Sequence, residues 1–255
     1  MNFNQLTPSV MTIILPFDGI IDILGIFLLL KTNEDIETLK PGDIFSMRYS
    51  NMYKGIIKDK KGFKNSINMD IVIKEKCISV KLSKNKLTKK YNLHMCGIKK
   101  FEQSYECAEL LFNKINNIQN NLDKSINIDL DDKYKNEAID WMKSNNKLIL
   151  SEIKLGIPQK VMVNYNYSLG FKINREMLCE EMRKYGFETK WIPTLHHNVI
   201  IKIPYSKDTK GKNKKHTFMV GRSGSITQSG PNEELMELVF KKFIQIISNI
   251  KHIII

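Results

Sequence analysis

The side chains with metal-binding or nucleophilic potential are few and badly spaced for either use. Cys77, Cys96, Cys107 and Cys179 form no CxxC pair, and His94 with Cys96 lacks the spacing of a zinc knuckle. His196 and His197 are adjacent, so on a strand their rings point to opposite faces, and no third ligand accompanies them. Serines, histidines and carboxylates occur without a nucleophile, base and orienting-group pattern. The chain therefore reads as a non-enzyme, with no cofactor, metal or small-molecule substrate. The residues that do cluster serve recognition. Lys58, Lys60, Lys61 and Lys64 surround Phe63, while Lys84, Lys86, Lys89 and Lys90 crowd a second turn, and ammonium groups so placed suit phosphate oxygens. From Asn164 to Tyr167, amides alternate with phenols, so one strand face is amide and the other aromatic.

The overall charge fits that chemistry without proving it. The 255 residues carry 40 Lys plus Arg against 27 Asp plus Glu, a formal net charge of +13. Such a surplus suits a partner bearing phosphates or another acidic surface. Yet arginine is confined to Arg48, Arg175, Arg183 and Arg222, and a Lys-, Asn- and Ile-rich composition produces the same surplus by itself. The stretch from Val10 to Leu30 is apolar but holds Pro16, Asp18, Gly19, Asp22 and Gly25, which makes a strand and core helix a better reading than a membrane span. No basic n-region and small-residue cleavage site precedes it, so no signal peptide is expected. Reduced thiols in an intracellular compartment follow from the unpaired cysteines.

One unit occurs twice and must position these residues. CISVKLSKNKLTKKYNLHMCGIKKFEQSYECAELLFNKINNI runs from Cys77 to Ile118, and HTFMVGRSGSITQSGPNEELMELVFKKFIQIISNI from His216 to Ile250. Each is a short strand, a polar turn, a strand ending in Gly and a long amphipathic helix. With Gly97 laid on Gly230, Leu93 falls on Ile226 and Cys96 on Ser229. Two copies about 130 residues apart indicate a duplicated domain rather than a solenoid.

The order strand, helix, four strands, helix is predicted in both halves. In the first, Met11 to Leu15 is a strand, Ile20 to Leu30 a helix and Asp43 to Lys58 one strand. INMDIVIK pairs with CISVKLS, and LHMCG leads to a helix over Glu102 to Ile118. In the second, Lys160 to Tyr167 is a strand, Asn174 caps a helix over Arg175 to Tyr185, GFETKWIPTLH is a strand and turn, VIIKI pairs with TFMVG, and SITQSG precedes the last helix. The expected organisation is a first repeat over 1–118, a linker over 119–152 with a short helix from Glu137 to Lys143, and a second repeat over 153–255.

That order, with GFKNSINMDI, ISVKLSKN and HMCGIKKFEQ in the first half and HNVIIKI, RSGSITQSG and the following helix in the second, resembles the TATA-box-binding proteins. Among them it is most similar to the divergent factors of large nucleocytoplasmic DNA viruses. The resemblance implies an α+β fold, a pseudo-two-fold saddle of about ten antiparallel strands with helices on the convex face. It also implies a viral transcription initiation factor that binds promoter duplex in the minor groove through the concave sheet, where apolar wedges unstack base steps. Its partners would be double-stranded promoter DNA and viral RNA polymerase or initiation factors. Its location would be a viral factory in the host cytoplasm, the host nucleus or the virion.

Carried onto this chain, the family's wedge positions fall on Phe63, Leu82, His196 and Gly221, where phenylalanine is the rule. The floor of the groove site falls on Val80, His94 and Cys96 in the first half and on Met219, Thr227 and Ser229 in the second. The central asparagine matches Asn164, with Asn166 beside it, whereas TIILPF in the first half has none. Phosphate contacts fall on Lys58, Lys60, Lys61, Lys64, Lys84 and Lys86. A TFIIB-like partner must dock differently, because Ile192 and Thr194 stand where the family has carboxylates. With Gly221 unable to wedge, weaker bending and weaker sequence discrimination are expected. Two alternatives stay open: an adaptor that keeps the fold but binds protein partners, and a single-strand or structured-RNA binder, which gains if Tyr165 and Tyr167 face the groove side.

Overall fold

The computed structural model describes residues 2–56, 65–74, 76–85, 88, 90–124, 128–194, 197–207 and 213–255. The chain divides into two compact units, Thr12–Gln159 and Lys160–Ile255, the latter together with Met1–Met11. The fold class is α+β. Every strand pairing described below is antiparallel, and each unit builds one layer of strands with helices packed on it.

The first unit contains β1 (Pro8–Asp18, shared at its start with the second unit), α1 (Ile23–Leu29), β2 (Ile44–Tyr49), β3 (Met52–Gly55), β4 (Ser66–Ile73), β5 (Lys76–Lys84), β6 (Tyr91–Ile98), α2 (Glu102–Asp123), α3 (Lys135–Ser144) and β7 (Lys154–Leu155). Its strand order is β3-β2-β4-β5-β6-β1, with β7 on β1. The second unit contains β8 (Gln159–Ser168), α4 (Arg175–Lys184), β9 (Glu188–Lys190), β10 (Asn198–Lys207), β11 (Asn213–Gly221), β12 (Ser225–Gly230) and α5 (Glu233–Ile254), in the strand order β9-β10-β11-β12-β8. Leaving aside β3 and the two-residue β7, both units share one topology, as the sequence repeat requires.

Alternating side chains decide which strand face each helix covers. In the second unit Val199, Ile201, Ile203, Phe218, Val220 and Ile226 point to one side and pack on Leu178, Met182, Phe243 and Ile247 of α4 and α5. In α5, Met236, Val239, Phe240, Phe243, Ile246, Ile247, Ile250 and Ile254 follow helical spacing and are buried. Asn232 accepts from Leu235 N at 3.0 Å to cap α5, and Asn174 accepts from Met177 N at 3.2 Å to cap α4, as predicted. Gln228 is fully buried in this layer yet satisfied, accepting from the Tyr167 hydroxyl at 3.2 Å and donating to Met236 O at 2.9 Å. The repeat glycines serve different ends. Gly97 has φ 103, a conformation that disfavours any side chain, whereas a Cβ on Gly230 would lie 2.5 Å from the buried His216 ring.

Three elements differ from expectation. The segment from Asp43 is a hairpin: β2 turns at Ser50 and Asn51 so that Tyr49 pairs with Met52, and Ser50 takes φ 54. The predicted helix from Ile20 starts at Ile23, because Asp22 accepts from Gly25 N at 2.8 Å and caps it. Residues 119–152 fall within the first unit: α2 runs to Asp123, and Trp141 of α3 is buried, donating from Nε1 to Asp22 Oδ2 at 3.1 Å. Gly25 makes room for that indole, since a Cβ there would lie 2.3 Å from it. Among the described residues no helix is long and apolar enough to cross a membrane.

Candidate nucleic-acid interface

The sheet face turned away from α4 and α5 is lined by small and polar side chains in register. Met219 pairs with Ile200 on one side and Thr227 on the other, and Thr227 pairs with Asn166. In the next row Thr217 pairs with Lys202 and Ser229, and Ser229 with Asn164. Alternation places all of these on the face opposite Phe218, Val220 and Ile226. Thr227 Oγ1 donates to Asn166 Oδ1 at 2.8 Å. That bond occupies the amide carbonyl and leaves the exposed Asn166 Nδ2 as a donor. Asn164 Oδ1 is buried without a partner, while its backbone carbonyl accepts from Ser9 Oγ at 3.1 Å. At the edge of this face Lys202 and Lys215 both pair with Glu188, and their hydrogen bonds bring its carboxyl down to about 2.

In the first unit the same face is assembled from different residues than the sequence implied. Val80 pairs with Met95 and Leu82 with Leu93, and these four are 0–1% exposed, on the core side. Val80 therefore forms no groove floor and Leu82 no wedge. The outward positions of β5 are Ser79, Lys81 and Ser83, paired with Cys96, His94 and Asn92. His94 and Cys96 do share the outward face, and Cys96 Sγ accepts from Thr12 Oγ1 at 3.7 Å. Burial, and then the charge of Lys81, hold the His94 imidazole below its ordinary value, so the ring is neutral near neutral pH. Across the sheet Asn68 pairs with both Lys81 and Arg48. Asp70, 7% exposed, accepts from Ser46 Oγ at 2.5 Å and meets the Arg48 guanidinium at 3.7 Å, while Lys81 stands on the outward face between Asn68 and His94.

The misplacement is a one-residue slip. Matching Cys77 to His216 puts Val80 on Met219 and Leu82 on Gly221, whereas the ladders match Lys81 to Met219 and Ser83 to Gly221. A one-residue slip moves every side chain to the other face. The alternation ISVKLS, with Ile78, Val80 and Leu82 apolar, carried the correct parity all along.

No family model matches the chain, and no curated protein matches its sequence. Among solved structures it is similar to Methanococcus jannaschii TBP, at 11% identity over 96% of this chain and 98% of that one, with a TM-score of 0.47.

The remaining predicted positions divide into those the structure describes and those it does not. Phe63, His196, Lys58, Lys60, Lys61, Lys64 and Lys86 lie outside the described residues. Lys84 is exposed at the end of β5, its ammonium 5.3 Å from the Tyr91 ring centre. Gly221 is buried and pairs with Asn198. Ile192 and Thr194 are exposed beyond β9. Tyr165 and Tyr167 face the helices: Tyr165 lies 4.8 Å from the Phe3 ring and Tyr167 packs edge-on to Phe240 at 5.2 Å. Neither ring is presented for base stacking, which removes the ground for a single-strand binder.

Proposed function

We propose that the chain is a transcription initiation factor of the TATA-box-binding type, of the kind found in large DNA viruses. It binds promoter duplex along the minor groove through the outward sheet face and performs no chemistry. The observation that carries this reading is the Asn166–Thr227 hydrogen bond on the outward face. A minor groove exposes mainly the adenine N3 and thymine O2 acceptors, and an amide whose carbonyl is already occupied offers donors to them. Hydroxyls and small side chains around it let a groove approach the sheet closely. Lys81 and Lys84 supply part of the phosphate attraction, and lysines near Phe63 would add to it. Such a factor works where viral transcription takes place, beside polymerase and other initiation factors.

The adaptor alternative has an observation of its own. Gly221 has no side chain and Ser83, which the ladders match to it, has only a hydroxymethyl group, while Leu82 is buried, so neither strand end has an apolar wedge to insert. A saddle-type factor without wedges holds proteins better than it bends DNA.

Salt-titrated binding and bending with end-labelled AT-rich and GC-rich duplexes separates the two. Bending with AT preference that persists near physiological salt supports the promoter factor. Weak, unselective binding that disappears with salt rejects it and leaves the adaptor.

A further inference from the structure

A cavity of about 390 Å³ lies in the second unit at the start of α4, and none of Asn164, Asn166, Thr227 and Ser229 lines it. Its wall is mainly cationic: Lys172 and Arg175, three residues apart at the start of α4, meet Arg222 from the turn after β11, with Glu176 and Ile255 also lining it. Lys172 and Arg222 are exposed, and their side chains have no ion-pair or hydrogen-bond partner among the described residues, while the Arg222 carbonyl accepts from Ile173 N at 2.8 Å. Arg175 donates to His197 O at 2.5 Å, with its guanidinium 5.2 Å from the Trp191 ring centre. Trp191 supplies an aromatic wall, packs against the helix-side core, and has a buried Nε1 donor without an acceptor. The equivalent corner of the first unit holds a cavity of about 920 Å³, but the carboxylate of Asp22 stands in its wall. Asn174, the neutral cap of α4, takes that place in the second unit.

We propose that this corner docks an acidic peptide segment of a partner protein. Carboxylates meet Arg222 and Lys172, and an apolar side chain lies against Trp191. Two features favour a peptide over nucleic acid. The cations converge on one pocket the size of a few side chains instead of forming a row along a phosphate backbone. The pocket also abuts the helix-side core through Trp191 and Ile173, and the Asn166 and Thr227 donors of the outward face do not line it. The inference is independent of duplex binding, and an adaptor would use the same corner.

The test is fluorescence polarisation of the full chain with a fluorescein-labelled peptide alternating Glu or Asp with Leu. Its partner is the same peptide carrying Gln and Asn, and the same preparations are titrated with duplex. The expected result is binding of the acidic peptide alone, at least about tenfold weaker for Arg222→Glu with Lys172→Glu, with thermal melting and duplex affinity unchanged. Acidic peptide that fails to bind, binds the double variant equally, or is matched by the amide peptide overturns the proposal. So does a parallel loss of duplex and peptide binding in the variant, which would assign the corner to the nucleic-acid surface.

Discussion

The Thr227 hydroxyl donates to Asn166 Oδ1 at 2.8 Å across the β8–β12 ladder and so fixes which way that amide faces. The bond joins two outward side chains and supports no core, so its consequence lies in recognition. Asn166→Ala and Thr227→Val should each leave melting temperature nearly unchanged. Each should weaken AT-rich duplex binding by about fivefold to thirtyfold, the equivalent of one or two lost hydrogen bonds. The GC-rich duplex should be less affected. Polarisation titrations on both duplexes check this, and equal losses on the two would sink the donor argument.

Neighbouring residues of β5 should behave oppositely. Leu82 is fully buried, so Leu82→Ala should cost about 2–5 kcal/mol of folding stability in urea titrations. Lys81→Ala should change stability little and reduce the slope of log affinity against log salt by about one. A stable Leu82→Ala variant with a specific bending defect would restore Leu82 as a wedge.

His216 makes stability depend on acid. It is fully buried, neither ring nitrogen has a partner, and burial brings the imidazole from its ordinary 6.5 down to about 4. Between those values the unfolded chain holds the proton and the folded chain does not. Stability from this site is therefore complete above 6.5 and is lost as pH falls towards 4, by about 3 kcal/mol in all. Urea titrations across that window should show the decline, and His216→Phe should flatten it. An unchanged slope in the variant would place the acid sensitivity elsewhere.

The Trp141 indole and Gly25 are fitted to each other. Gly25→Ala should destabilise by about 1–3 kcal/mol through overpacking, and Trp141→Ala by about 3–5 kcal/mol through the cavity it leaves. Together they should cost less than the sum, because removing the indole makes room for the methyl. Chemical denaturation of the single and double variants measures the coupling, and simple additivity would mean that α3 does not pack on α1 in solution.

Much of the architecture was legible from the residues alone. Apolar spacing marked α5, Asn174 announced the start of α4, and the repeated strand, turn, strand, helix unit prescribed the topology both units share. On β8 and β12 strict alternation put Asn164, Asn166, Thr227 and Ser229 on one face and Tyr165 on the other. Trp141 showed only that α3 had an apolar side, and helical spacing does not say what that side meets. The β2–β3 turn was hidden because Ser50 and Asn51 interrupt a run that alternates well enough to pass for one strand.

What the tertiary structure decided was pairing. Alternation divides a strand into two sets of side chains, but which residue lies opposite which depends on the hydrogen-bond ladder. The connections in question differ in length, since β5 and β6 are joined by a longer turn than β11 and β12. That difference put Val80 in the place of Lys81, and only the Lys81–His94 and Met219–Thr227 pairs corrected it. The cationic corner at Trp191 has the same cause. Lys172 and Arg175 are neighbours at the start of α4, but Trp191 and Arg222 lie far from them along the chain and join them only once the end of β9 and the turn after β11 are folded against that helix.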